Sequence, residues 1–346
     1  MKAKRLLPLL MAAVMGASAL TGCGKIDKDA TGATLNGEEI SLGFMNFMAK
    51  FQQAVYDGYL GYMYGTADYW SQDMSGNGTD METTVKSQVA ENIELLYLLE
   101  DHMTDYGVEI TKDELTAMDE AAEKFMSDNS KDAIEQIGAT KEYVKEMLRL
   151  DTIQTKMQAA IEAEVDTEVS DEEAAQKTFS YVRISKTSTT DADGNTVEYT
   201  EEEKEELKNT VDAYVEKAKA DFDGAAAEAG YTVSTYSYGT DESNFAEAVI
   251  AQADKMQDGE ISGLLEDDDN YYVIRMDSTF DEEATAKKKE SIVSQRKTDH
   301  YTEVCDGYKE NAKYEINESE WKKVKFDELF TMKQEETEST DSTESE

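Results

Sequence analysis

The residue whose chemistry is clearest from the sequence is Cys23, which ends the run LTGC at residues 20–23. Basic residues lie near the start of the chain, and an apolar run at 6–20 separates them from Cys23. That run is shorter than the roughly 20 residues that a transmembrane helix needs. The order of basic, apolar and small residues before a cysteine predicts a lipoprotein signal peptide at 1–22, with a lipid on Cys23. The alternative is an ordinary signal peptide followed by an unrelated cysteine.

Few other residues offer covalent or metal chemistry. Cys305 is the only other cysteine, so a lipidated chain has no partner for a disulfide, and an acidic neighbour does not activate its thiol. The two histidines, His102 and His300, are far apart and form no metal-binding motif. Acidic residues at 266–269 lack the spacing of a calcium loop and predict a solvated turn. We therefore expect no cofactor and no metal.

The charge of the chain limits its partners. Its 346 residues carry a formal net charge of −42, which opposes binding to nucleic acid or to an anionic bilayer surface and favours basic or neutral clients. Such a charge also serves solubility. The composition, 39% hydrophobic with 9% aromatic residues, is sufficient for two domains with hydrophobic cores.

The first half of the chain after Cys23 has the spacing of helices. A strand with a turn at Asn36-Gly37 is predicted at 33–40, and an apolar helix face follows over 41–57. A longer helix is predicted at 81–106. Caps or capping boxes predict further helix starts at Thr111 with Glu114, at Thr140, and at Ser170 with Glu173. The sequence therefore predicts a helical module over 33–177, after a short tether at 23–32.

A stretch of tyrosine, tryptophan and methionine residues, broken by glycines, lies within this module at 59–70. Large apolar side chains at this density either fill a core between helices, which is their more common role, or form an exposed surface that binds other proteins. In the second interpretation Tyr62, Tyr69 and Trp70 are the candidate substrate-binding residues.

From residue 178 the pattern changes to that of an α+β domain. Period-two alternation predicts a strand at 179–185, followed by a polar hairpin around 191–195. Two further strands, at 232–238 and 271–276, are separated by helical segments. The domain is predicted to span 178–278.

The segment after this domain returns to the helical pattern. A helix is predicted at 281–311, a strand around Trp321 at 313–324, and a disordered acidic tail at 334–346. The strands at 33–40 and 313–324 have no neighbouring strand in sequence. Because an isolated strand leaves backbone groups unpaired, we expect these two strands to pair with each other.

Three stretches of the α+β domain resemble the parvulin-type peptidyl-prolyl isomerases. Residues 258–263 (DGEISG) followed by 270–274 (NYYVI) are similar to the family's GE(V/I)S and GYHII ending. Residues 245–248 (FAEA) resemble its F-E-x-A helix start, and 180–184 (SYVRI) resemble its opening A-x-H-I-L-V strand. With the lipoprotein signal and helices on both flanks, the chain is similar to foldase lipoproteins of the PrsA/SurA type.

The resemblance implies an architecture and an active site in which the family's histidines are replaced. A helical, SurA-N-like chaperone module, completed by the C-terminal helix and strand at 279–333, would receive an inserted parvulin-like domain. Parvulin catalysis uses two facing histidines, whose positions here are occupied by Tyr181 and Tyr272, with Phe245 as a substrate-binding residue. Two tyrosines can still form a hydrogen-bonded pair, although their alternative role is to fill a cavity.

Two functions from different classes remain. The first is a membrane-anchored extracytoplasmic chaperone for unfolded or partly folded exported proteins, with a weak or inactive parvulin-like domain. The second is an active peptidyl-prolyl cis-trans isomerase. A solute-binding lipoprotein is disfavoured, because it needs two lobes of alternating strands and helices. The expected partners are client proteins and, through the lipid, the membrane; nucleic acid is excluded and a homodimer is left open.

Overall fold

The computed structural model describes residues 26–191, 193–240 and 244–330, apart from the side chains of Gly61 and Tyr62. The predicted signal peptide, the predicted lipid attachment site Cys23 and the predicted acidic tail at 334–346 lie outside these residues. The chain divides into two compact units. Unit 1 comprises the described residues up to Glu164 and from Thr298 onward, and unit 2 is Val165–Lys297. No helix in the described ranges is long and apolar enough to cross a membrane.

The elements follow the predicted order of a helical first half, an α+β segment and a helical end. Those of the first half are β1 Thr31–Leu35, β2 Glu38–Ser41, α1 Leu42–Tyr56, α2 Tyr62–Tyr64, α3 Met81–Asp101, α4 Lys112–Asp128, α5 Lys131–Ile137, α6 Lys141–Glu162 and α7 Asp171–Ala174. Those of the second half are β3 Lys177–Ser185, β4 Ser188–Thr190, β5 Thr196–Glu198, α8 Glu201–Ala218, α9 Phe222–Ala229, β6 Val233–Tyr238, α10 Glu247–Ala253, β7 Leu265–Glu266, β8 Asn270–Ser278, α11 Glu282–Asn311, β9 Tyr314–Ile316 and α12 Glu318–Trp321.

A small sheet joins the two ends of the described chain in unit 1. The strand predicted at 33–40 is a hairpin of β1 and β2, whose turn places Asn36 and Gly37 in the left-handed region, as an Asn-Gly turn requires. On its other side β1 pairs with β9, with Ala33 opposite Ile316. The predicted pairing of the first and last strands is therefore confirmed. The strand predicted at 313–324 is too long, because the chain turns at Asn317 into α12 and Trp321 lies in that helix.

The predicted helix starts are present, with one incomplete capping box. Thr111 and Glu114 exchange both capping hydrogen bonds at the start of α4, and the Thr140 side chain caps α6. Ser170 accepts the N–H of Glu173, which is half of the predicted box. The α-helix predicted at 81–106 ends earlier, at Asp101, and a 3₁₀ turn at Met103–Tyr106 follows it.

Unit 2 is built on an antiparallel sheet with the strand order β6-β3-β8-β7. Side chains alternate between the two faces of each strand, so Val182 and Ile184 of β3 pack on one side with residues of α8 and α9. Phe179 of β3 lies on the other side, with residues of β8 and α10. The mixed α+β fold is as predicted.

Candidate functional site

An aromatic face covers one side of the unit 2 sheet. Alternate residues of neighbouring antiparallel strands point to the same face, which brings together rings from three strands. A further ring, from the segment before α10, packs on top of them. The aromatic face consists of Phe179, Tyr181, Tyr236, Tyr238, Phe245 and Tyr272.

Phe245 lies at the centre of this face. Its ring centroid is 4.9 Å from that of Tyr181 and 5.5 Å from that of Tyr272. It also meets Phe179 edge to face at 5.4 Å, a favoured geometry for aromatic pairs. The structure thus brings together the three residues predicted for the site, with Phe245 in contact with both tyrosines. In the strand register Tyr181 is opposite Ile274, so the two tyrosines are not directly opposed.

The Tyr272 hydroxyl donates to the carboxylate of Asp267 at 2.7 Å. Burial, and then this hydrogen bond, raise the pKa of Tyr272 to about 12. Partial burial alone would raise the pKa of Asp267, but hydrogen bonds from Tyr272 and from the backbone of Asp269 and Asn270 lower it. Tyr272 is therefore a neutral phenol at pH 7, and its hydroxyl proton lies in the hydrogen bond to Asp267.

Two more hydroxyls at this face have defined partners. Tyr238 donates to Asp254 at 3.0 Å, and Lys177 donates to the same carboxylate oxygen at 2.8 Å. The backbone N–H of Asn244 donates to the Tyr236 hydroxyl at 3.1 Å. The result is a packed cluster of rings with polar groups around its edge, in which three of the six rings are buried and three are partly buried.

The aromatic stretch at 59–70 divides into buried and exposed side chains. Tyr69 and Trp70 are 0% and 2% exposed, so they cannot line a client-binding surface as predicted. The Tyr62 side chain lies outside the described residues. The structure exposes other members instead: Tyr59 is 82%, Met63 73% and Tyr64 44% exposed. These three residues, with Val55 and Met74, are called the exposed Tyr/Met surface below.

Tyr69 and Trp70 are buried because they share an acceptor, Asp57, at the end of α1. Both donate to one oxygen of its carboxylate, Trp70 at 2.9 Å. The other oxygen accepts from Gln53 at 3.2 Å and from the Phe330 backbone at 2.8 Å. Burial raises the pKa of Asp57 despite these donors. Sequence reasoning missed this cluster, although Gln53 and Asp57 are polar residues four positions apart on an apolar helix.

The chain's histidines and its second cysteine occupy structural positions in unit 1. The His102 ring stacks on Tyr308 with centroids 3.8 Å apart, and His300 contacts Glu164 at 3.3 Å. Cys305 is buried, and burial raises the pKa of its thiol, which keeps it in the unreactive form. Both histidines of the chain therefore belong to unit 1 and not to unit 2.

The comparisons with known proteins agree with the geometry of unit 2. Residues 185–288 match the family model described as the PPIC-type PPIase domain, a range that begins just after Tyr181 and includes Phe245 and Tyr272. No curated protein matches the chain.

Similar solved structures include the foldase protein PrsA from Lactococcus lactis, at 16% identity over 85% of this chain and 97% of that chain, with a TM-score of 0.32. The peptidylprolyl isomerase PrsA from Bacillus cereus is 18% identical over 74% and 97%, with a TM-score of 0.29. A structure of SurA-like chaperones from Campylobacter jejuni is 13% identical over 84% and 99%, also at 0.29. The likeness to the PPIC-type PPIase domain is thus a property of residues 185–288.

Proposed function

We propose that this protein is an extracytoplasmic chaperone, anchored to a membrane by a lipid on Cys23, that binds unfolded or partly folded exported proteins. The exposed Tyr/Met surface of unit 1 carries the proposal. Among the described residues, most of the large hydrophobic side chains that remain exposed fall within 55–74. Large apolar groups concentrated in one part of a soluble surface mark interaction sites.

The composition of this surface suits clients of varied sequence. Met63 and Met74 have flexible, polarisable side chains that adapt to different apolar partners. The ring of Tyr59 offers apolar area together with a hydroxyl that tolerates water. The net charge of −42 keeps the chain soluble in spite of this surface and favours basic or neutral client segments.

Within this proposal the parvulin-like domain binds client segments, and its isomerase activity is weak or absent. In this proposal an apolar or proline-containing segment binds against Phe245, whose side chain is only partly buried. The Tyr272 proton is held by Asp267, and the chain's histidines lie in unit 1. In this proposal the domain therefore contributes binding of the client and little or no catalysis.

An active peptidyl-prolyl isomerase is the second candidate, favoured by the family match over 185–288. Two assays on the same protein separate the candidates: suppression of aggregation of a thermally unfolding model protein, and acceleration of a proline-limited refolding reaction. We expect clear suppression and weak or absent acceleration. The Tyr59→Ser/Met63→Ser variant should lose most of the suppression, whereas Tyr272→Phe should keep it. Strong acceleration that either Tyr181→Phe or Tyr272→Phe abolishes would establish the isomerase instead.

The proposed location has its own test, because lipid attachment requires the thiol of Cys23. The wild-type protein should fractionate with membranes of the producing cell, and Cys23→Ser should leave an unprocessed or released form. A wild-type protein that lacks lipid and is recovered entirely in the medium would refute the anchoring.

A further inference from the structure

The last described residues of the chain, 321–330, cross the helical unit as a segment that is mostly not helix or strand, here called the C-terminal segment. Its apolar side chains Val324, Phe326 and Phe330 are almost fully buried. Phe326 packs edge to face on Trp70 with ring centroids 4.7 Å apart. The segment therefore occupies an apolar groove of unit 1 in an irregular conformation.

Side chains of α1 and α3 bind the backbone of this segment. The Lys86 amine donates to the carbonyl oxygens of Trp321 at 3.1 Å and Val324 at 2.7 Å. The Lys50 amine donates to the carbonyl of Lys325.

The same pattern continues along the segment. The Gln53 amide donates to the carbonyl of Glu328 at 2.6 Å. In the other direction, Phe326 donates its backbone N–H to Glu82 at 3.0 Å, and Phe330 donates its own to Asp57 at 2.8 Å. Side chains of the groove thus bind both the carbonyl oxygens and the N–H groups of the segment's backbone.

These contacts have two consequences. Backbone groups are the same in every residue except proline, so these hydrogen bonds can form with many sequences, and sequence preference comes from the buried apolar side chains. Lys50, Gln53, Asp57 and Lys86 are buried, and buried polar groups are costly when they have no partner. An occupant that replaces the C-terminal segment must therefore offer backbone groups and large apolar side chains in the same order.

The groove is continuous with the exposed Tyr/Met surface. Tyr64 of that surface contacts Tyr69 with centroids 5.6 Å apart, and Tyr69 contacts Trp70 at 5.0 Å. Trp70 in turn contacts Phe326. A chain of touching rings therefore leads from the exposed surface to the C-terminal segment.

We propose that this groove is a peptide-binding site and that the C-terminal segment is its resident competitor, which an extended client segment with large apolar side chains displaces. The inference rests on the proposed function, because it names the site at which a client captured on the exposed Tyr/Met surface is held. The resident segment keeps the groove filled when no client is present.

The test uses the full chain and a fluorescein-labelled peptide with the sequence of residues 321–330, WKKVKFDELF, in an anisotropy titration. The variant Phe326→Ala/Phe330→Ala weakens the resident segment, so we expect it to bind the peptide at least tenfold more tightly than wild type. Lys322→Ala, an exposed side chain of the same segment, is the matched control and should bind within twofold of wild type. A folded double variant that binds the peptide no better than wild type overturns the proposal.

A second measurement uses the wild type alone, so it remains decisive if the double variant does not fold. Hydrogen exchange on the wild type, with and without a reduced, permanently unfolded client protein, reports the amides of Phe326 and Phe330. We expect their protection to fall at least tenfold when the client is bound. A bound client with unchanged protection overturns the inference while leaving the proposed function intact.

A wild type that binds no client overturns the proposed function, while the peptide titration still decides whether the groove takes a peptide. Dimerisation of the double variant through exchange of this segment would make a second copy the occupant and also overturn the inference.

Discussion

The two units each hold tyrosine side chains against a carboxylate, and the two carboxylates have opposite properties. In unit 1, Tyr69 donates to Asp57, which is buried and whose pKa is raised. In unit 2, Tyr272 donates to Asp267, which is partly exposed and whose pKa is lowered. Hydrogen bonds favour the ionised form in both cases, but burial outweighs them only at Asp57. The comparison teaches that the depth at which a carboxylate is buried decides the direction of its pKa shift, even when hydrogen bonds favour its ionised form in both places.

The largest expected effect distinguishes the two carboxylates directly. Asp57→Ala leaves buried donors of Tyr69, Trp70 and Phe330 unpaired, and should lower the free energy of unfolding of unit 1 by about 3–5 kcal/mol. Asp267→Ala should cost unit 2 only about 1 kcal/mol, because water can replace the lost acceptor. Urea unfolding of both variants at pH 7 checks the pair. Equal losses would mean that depth does not separate the clusters.

A third carboxylate isolates the effect of burial. Burial raises the pKa of Asp151 in α6 to about 6, above the roughly 3.9 of an unfolded chain. The folded state therefore binds this proton more tightly, and the associated stability is present below about pH 4 and lost as the pH rises through about 6. Asp151→Asn should stabilise unit 1 by about 2–3 kcal/mol at pH 7 and have little effect at pH 4. Unfolding of both proteins across this pH range gives the comparison, and a gain that is independent of pH would contradict it.

A smaller effect is expected on the unit 2 side. Tyr272→Phe removes one hydrogen bond to Asp267 and keeps the ring against Phe245, so unit 2 should lose about 1 kcal/mol. The loss should disappear at a pH low enough to protonate Asp267, because the lowered pKa of that carboxyl contributes stability only while it is ionised. Thermal unfolding of wild type and variant at pH 7 and near pH 2 is the measurement. A loss that is the same at both pH values would show that the ring, and not the hydrogen bond, was disturbed.

The smallest effect on stability is expected at the exposed Tyr/Met surface. Tyr59→Ser should change the free energy of unfolding by less than about 0.5 kcal/mol, because its ring is already in water. Tyr69→Ser, ten positions further along the chain, should lower the free energy of unfolding by about 3 kcal/mol or more, because the Tyr69 ring is fully buried. Unfolding of both variants at pH 7 tests the division. Similar losses at the two positions would place Tyr59 in a core.

Local signals in the sequence predicted much of the fold. The Asn36-Gly37 turn, the Thr111 and Glu114 capping box and the pairing of the terminal strands each follow from a few neighbouring residues or from the need to pair a strand. Period-two alternation likewise predicted β3. The strand predicted at 313–324 was too long. Only Tyr314–Ile316 pair, and a pairing of three residues followed by one helical turn leaves almost no periodic pattern in the sequence.

The candidate site was predictable only in part. The resemblance identified Tyr181, Phe245 and Tyr272, which the structure brings to one face. It could not identify the partner of Tyr272, because Asp267 belongs to an acidic turn that resembles any solvated loop. Nor could periodicity show that Tyr69 is buried and Tyr59 exposed, because that division depends on Asp57 and on the distant Phe330.

The contact between Asp57 and Phe330 joins residues 273 positions apart and constrains the order in which the protein can fold. Unit 2 is one uninterrupted stretch, whereas unit 1 needs both ends of the described chain. A polypeptide that leaves the ribosome with its N-terminus first has all of unit 2 before the final strand and segment of unit 1 exist. The helical unit is thus begun first and finished last, because the backbone groups of residues 321–330 that bind Lys86 and Asp57 are made after all of unit 2.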